Sequence, residues 1–158
     1  MAANMDDDRR RLEILLVEDN PADAELFRQL MSGPCNVSVA ASGTEAFDRL
    51  FQRGKFSTSP MPNIVVLDVN VPILTGFEIL AILKGNSKLR SIPVVVWSGS
   101  DNEKDIERAF LDGACAYIIK DSDLKKMEDV LAAFSEFWTK QVVFPGVARI
   151  PKTAGEGL

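Results

Sequence analysis

The feature that most constrains the fold of this chain is a set of short apolar runs that do not alternate. Leu12–Val17 after Glu13, Ile64–Leu67, and residues 92–97 after Pro93 place apolar residues, mostly Val, Ile and Leu, at consecutive positions. A strand with one wet face alternates apolar and polar residues. Consecutive apolar positions instead need burial on both faces, as in a parallel sheet covered by helices on each side. Two further runs, 36–40 and 115–119, bring the strands to five. The segments between them have helical period. Residues 21–32 follow Asn20, a good N-cap, and begin with Pro21, whose missing N–H costs nothing at a first helical position. Ser42 with Glu45, Thr75 with Glu78, and Ser100 with Glu103 have capping-box spacing and predict three more helix starts. A last helix is predicted over residues 122–139, with Leu124, Met127, Leu131, Phe134 and Trp138 on one stripe. Strand and helix therefore alternate as an α/β chain of (βα)5 type. Residues 1–11 read as a polar leader, 12–139 as the domain, 140–158 as a tail and 54–63 as a loop.

Composition matters mainly for what it excludes. The formal net charge of −5 argues against nucleic acid or a membrane surface as partner, since both select a basic face. Without an apolar stretch of about 20 residues or a secretory leader, a cytoplasmic protein is expected. The 158 residues contain no histidine, which removes histidine-based acid–base catalysis and most zinc sites. Cys35 and Cys115 match no metal or disulfide spacing and are expected as small buried apolar residues.

In a parallel α/β sheet, ligands collect beyond the carboxyl ends of the strands. The first strand ends in Glu18-Asp19, the third in Asp68, the fourth in Ser98 and the fifth in Tyr117-Ile118-Ile119-Lys120. Three carboxylates, a hydroxyl and an ammonium are thus directed to one edge. Such carboxylates repel unless a cation neutralises them, and an all-oxygen set selects a hard ion, Mg²⁺ or Mn²⁺. With the ion present, one carboxylate can attack phosphorus, Lys120 can pair with a phosphoryl oxygen, and Ser98 can donate to another.

Those residues resemble the receiver domain of two-component response regulators over most of the chain. The matching features are Glu18-Asp19, Asp68 in the run D-V-N-V-P ahead of Gly76, Ser98 followed by Gly99, Tyr117 and Lys120. The resemblance implies a flavodoxin-like fold of CheY type, with a parallel sheet in the order 2-1-3-4-5. It implies Asp68 as the phosphoacceptor and Asp19 as a direct Mg²⁺ ligand. Glu18 would ligate through water and Asn70 through its backbone carbonyl. Ser98 and Tyr117 would form the switch pair, with Lys120 as the phosphoryl contact. A sensor histidine kinase would supply the phosphate, and the tail is too short for an output domain. The segment from Phe137-Trp138 to Phe144-Pro145 is similar to single-domain regulators that accompany bacterial phytochromes. One departure is Asp121, which stands where the family usually has Pro after the lysine.

Two other readings share the architecture. A haloacid-dehalogenase-like phosphatase needs a second Asp as general acid, where this chain has Asn70. An FMN-binding flavodoxin-like protein needs a phosphate loop after the first strand, where this chain is acidic. The last helix carries one more question. Val130, Ala133 and Phe137 widen its apolar arc to about 180°. The extra width is expected to serve either a homodimer, through Val130, Phe134, Phe137 and Trp138, or the tail folding back.

Overall fold

The structure is a computed structural model that describes residues 11–147. Its strands are β1 (Leu12–Val17), β2 (Cys35–Ala40), β3 (Ile64–Leu67), β4 (Val94–Ser98) and β5 (Ala116–Ile119). Its helices are α1 (Pro21–Leu30), α2 (Gly43–Leu50), α3 (Gly76–Gly85), α4 (Glu103–Leu111) and α5 (Leu124–Glu136). The five strands form one sheet in the order β2-β1-β3-β4-β5, all pairs parallel. This is the expected doubly wound arrangement, with strand order reversing at the β1–β3 boundary.

The non-alternating runs have the predicted cause. Along β1, Leu12, Ile14 and Leu16 point into one core while Leu15 and Val17 point into the other. β3 and β4 divide the same way: Ile64, Val66, Val95 and Trp97 face the first core, and Val65, Leu67, Val94 and Val96 the second. Phe27 of α1 with Met127, Leu131 and Phe134 of α5 close the first core. Residues of α2, α3 and α4, including Leu50, Leu80 and Ala109, close the second. The edge strands β2 and β5 are only half-buried, as their mixed composition requires.

Two of the predicted boxes form their hydroxyl half, while Glu45 accepts from the Ala41 amide and Glu78 from the Thr75 hydroxyl rather than from the cap's own N–H. Ser42 Oγ accepts from the Glu45 amide at 3.2 Å, and Thr75 Oγ1 accepts from the Glu78 amide at 3.3 Å. The third is corrected. α4 begins at Glu103 with Asn102 as its cap, accepting from the Lys104 amide at 2.9 Å. Ser100 Oγ instead donates to Asp105 at 2.6 Å, because the charged carboxylate is the stronger acceptor.

The last helix starts two residues later than predicted and changes to π-helical winding before its predicted end. Asp123 caps α5, which ends at Glu136 and continues as a π-helical turn, Phe137–Gln141. The buried Ser135 hydroxyl accepts from the Ser32 amide at 2.8 Å, and Thr139 Oγ1 donates to the Ser32 carbonyl at 2.9 Å. The end of α1 is thereby tied to this turn. Leu124, expected on the apolar stripe, is exposed because it starts the helix at the sheet's rim. Cys35 is half-buried and Cys115 exposed, so the expected burial of both cysteines fails; Cys115 lies in the connection entering the edge strand β5.

Two of the four residues expected at a dimer face are covered within the chain. Phe134 is buried against Phe27, with ring centroids 5.8 Å apart, and Trp138 packs against Phe144 of the tail at 6.0 Å. Only Val130 and Phe137 of that set are exposed. The tail covers Trp138, whereas Val130, Ala133 and Phe137, which widen the apolar arc, remain exposed.

Candidate functional site

The site lies beyond the carboxyl ends of β1, β3, β4 and β5. Glu18 leaves β1 with its backbone N–H still bonded to the Ala40 carbonyl, so its position is set by the sheet. Asp68 leaves β3 the same way, donating to the Val17 carbonyl at 3.0 Å. Gly76, at the start of α3, then presses on this exit. A Cβ there would lie 2.3 Å from the Asp68 carbonyl oxygen and 2.6 Å from Val69 Cα. Only glycine lets the helix seat this close to the strand end. Between them Ile73 is exposed with φ of 70°, a left-handed conformation uncommon for a β-branched residue.

Glu18, Asp19 and Asp68 each offer an oxygen within 4.8 Å of the others. Glu18 and Asp68 are buried and Asp19 is exposed. The donors are all carboxylate oxygens on rigid strand ends with one open side. That set suits a hard divalent cation that keeps several waters.

Lys120 crosses the site from the end of β5. Its ammonium donates to Glu18 Oε2 at 2.6 Å, Asp23 Oδ2 at 2.9 Å and Asp68 Oδ2 at 3.0 Å. Its Nζ also lies 4.7 Å from the centroid of the buried Trp97 ring. The other oxygens are partly taken: Asp68 Oδ1 accepts from the Asn70 amide at 3.0 Å and Glu18 Oε1 from the Asn20 amide at 3.1 Å. Burial raises the Glu18 carboxyl from its usual 4.5 to about 7, although Lys120 and the Asn20 amide pull it down. Burial works against the Lys120 charge as well. Its hydrogen bonds to Glu18 and Asp23 outweigh that and hold it above the ordinary lysine value.

The structure thus brings Glu18, Asp19, Asp68 and Lys120 together. Ser98 is fully buried at the end of β4, beside the strand that delivers Asp68, and its Oγ accepts from the Ser100 amide at 3.2 Å. Tyr117 is half-buried on β5, and its hydroxyl donates to the Ser100 carbonyl at 2.9 Å, so it is tied to the same connection as Ser98. Asn70 reaches Asp68 through its amide. The peptide bonds of the described residues include no cis bond, Lys120–Asp121 included.

Sequence reasoning missed Asp23 and the role of Trp97. Asp23 carried one available signal: it is acidic and falls in the first turn of the helix that directly follows the Glu18-Asp19 strand end. Trp97 lies in the buried run of residues 92–97, and its contact with Lys120 depends on how β4 and β5 pair.

A family model for the response regulator receiver domain matches residues 14–132. Response regulator Rcp1 of Synechocystis sp. is 34% identical over 135 residues, which span 84% of this chain and 92% of that protein. Among solved structures, the phosphorylated cyanobacterial phytochrome response regulator RcpA superposes with a TM-score of 0.82 at 34% identity. It covers 85% of this chain and 99% of its own. The Mn²⁺-bound form of Rcp1 gives the same score, identity and coverage. The phosphatase and flavin-binding alternatives find no support in these likenesses.

Proposed function

The chain belongs to the response regulator receiver domain family, and from that premise we propose that it accepts a phosphoryl group on Asp68 with Mg²⁺ and converts that event into altered binding. The observation that carries this reading is the arrangement around Asp68. A buried carboxylate shares an acidic cluster fit for a divalent ion and also lies 3.0 Å from Lys120. In the transfer, an Asp68 oxygen forms a bond to phosphorus as the donor's P–N bond breaks, and the histidine nitrogen leaves with that electron pair. Asp19 would hold the ion directly, Glu18 through water and Asn70 through its carbonyl. A Mg²⁺ ion held there would offset negative charge on the transferring group. Mn²⁺ is an alternative occupant, since relative Rcp1 has a Mn²⁺-bound form.

Ser98 would then donate to the phosphoryl group. Its hydroxyl accepts from the Ser100 amide and Tyr117 bonds the Ser100 carbonyl, so any shift of that connection reaches Tyr117 and α4. The donor would be a sensor histidine kinase, a bacterial phytochrome on the likeness to RcpA. The domain would span residues 12–139 with a leader before it and a tail after. It would act in the cytoplasm as a signalling protein rather than as an enzyme. None of the helices in the described residues is long and apolar enough to cross a membrane. Self-association through the face of Val130, Phe134, Phe137 and Trp138 would begin at the exposed Val130 of α5 and Phe137 of the π-helical turn.

The test is labelling by acetyl phosphate with Mg²⁺. The unsubstituted protein should acquire an acid-labile acyl phosphate that hydroxylamine also removes, and Asp68→Asn should acquire none. Full labelling of Asp68→Asn would overturn the assignment.

A further inference from the structure

An ammonium has three N–H donors, and in this pocket all three are spent on carboxylates. A phosphoryl oxygen can gain Lys120 only if one carboxylate lets go. The three are not equivalent. The side chains of Glu18 and Asp68 are 1% and 9% exposed, whereas that of Asp23 is 26% exposed. Asp23 also stands outside the cluster whose oxygens converge on a cation position. A metal ion held by that cluster would draw on Glu18 and Asp68 and would leave Asp23 as the acceptor that keeps its hold on Lys120. The Trp97 ring beneath Lys120 limits where the ammonium can retreat.

We propose that Asp23 is a positioning residue that competes with the phosphoryl group for Lys120 and so weakens the hold of the site on that group. The inference rests on the phosphoacceptor reading of Asp68. Asp23 acts from the first turn of α1, where its amide is fixed to Asn20 Oδ1 at 3.2 Å, so the competing carboxylate is anchored rather than loose. Its charge has two opposed effects. It repels an anion beside Asp68, and it attracts a cation beside Glu18 and Asp19.

The experiment uses the full chain with Trp138→Phe, so that Trp97 is the reporting indole under Lys120. Beryllofluoride is titrated at saturating Mg²⁺, and Mg²⁺ is titrated alone, for the parent, Asp23→Asn, Asp23→Glu and Asp68→Asn. Asp23→Asn should bind beryllofluoride about three- to tenfold more tightly and Mg²⁺ about two- to fivefold more weakly, as loss of one nearby charge dictates. Asp23→Glu should restore both affinities to within about twofold of the parent, on the same charge argument. A merely structural role would weaken both ligands together, so the opposite signs are diagnostic. Beryllofluoride binding by Asp23→Asn that equals or falls below the parent's overturns the proposal while leaving the Asp68 assignment standing. A parent that does not respond to beryllofluoride, or an Asp68→Asn variant that responds equally, overturns both.

Discussion

Glu18→Gln should remove most of the dependence of stability on pH between about pH 5 and 8 in metal-free protein. The Glu18 side chain is 1% exposed, and burial is the largest influence on its carboxyl, lifting it from 4.5 to about 7. Because the folded state holds this proton more tightly than the unfolded chain, its contribution to stability is fully present below about pH 4.5. It declines above that and is lost as pH rises through about 7. At about 1.4 kcal/mol per pH unit, the rise corresponds to about 3 kcal/mol. The raised Lys120 adds no slope here, since its contribution persists below 10.5. Gln has no proton to lose, and its amide oxygen still accepts from Lys120. Urea unfolding with a chelator across this range should show the parent losing about 3 kcal/mol and Glu18→Gln losing less than about 1 kcal/mol. Added Mg²⁺ should stabilise the parent more as pH passes about 7, because cation and proton compete for one carboxylate. Parallel pH profiles for the two proteins would refute the burial argument.

Two further substitutions probe the frame around the site. Gly76→Ala places a methyl 2.3 Å from the Asp68 carbonyl and 2.6 Å from Val69 Cα, both backbone atoms that cannot rotate away. It should cost about 3 kcal/mol in urea unfolding, and a loss below about 1 kcal/mol would show that α3 shifts freely. Ser135→Ala leaves the Ser32 amide without its 2.8 Å acceptor, while Thr139 still holds the Ser32 carbonyl. A loss of about 1–2 kcal/mol is expected, with faster hydrogen exchange at Ser32, and an unchanged exchange rate would count against the tie between α1 and the last helical turn.

The fold class and the main members of the site were legible in the order of residues alone. Non-alternating runs such as Ile64–Leu67 can only be satisfied between two helical layers, and strand ends in such a sheet fall together, so Glu18, Asp19, Asp68 and Lys120 converge. These properties follow from local periodicity and from a topology with few alternatives. What depended on distances across the chain was decided only by the tertiary structure. Ser100 abandons the α4 cap because Asp105 turns toward it, and Phe134 and Trp138 face inward because Phe27 and Phe144 meet them there. Asp23 meets Lys120 across 97 positions because the lysine reaches from the end of β5 over the strand ends to the first turn of α1. Periodicity records which face of an element is buried, whereas the partner that a side chain finds depends on packing that no local pattern encodes.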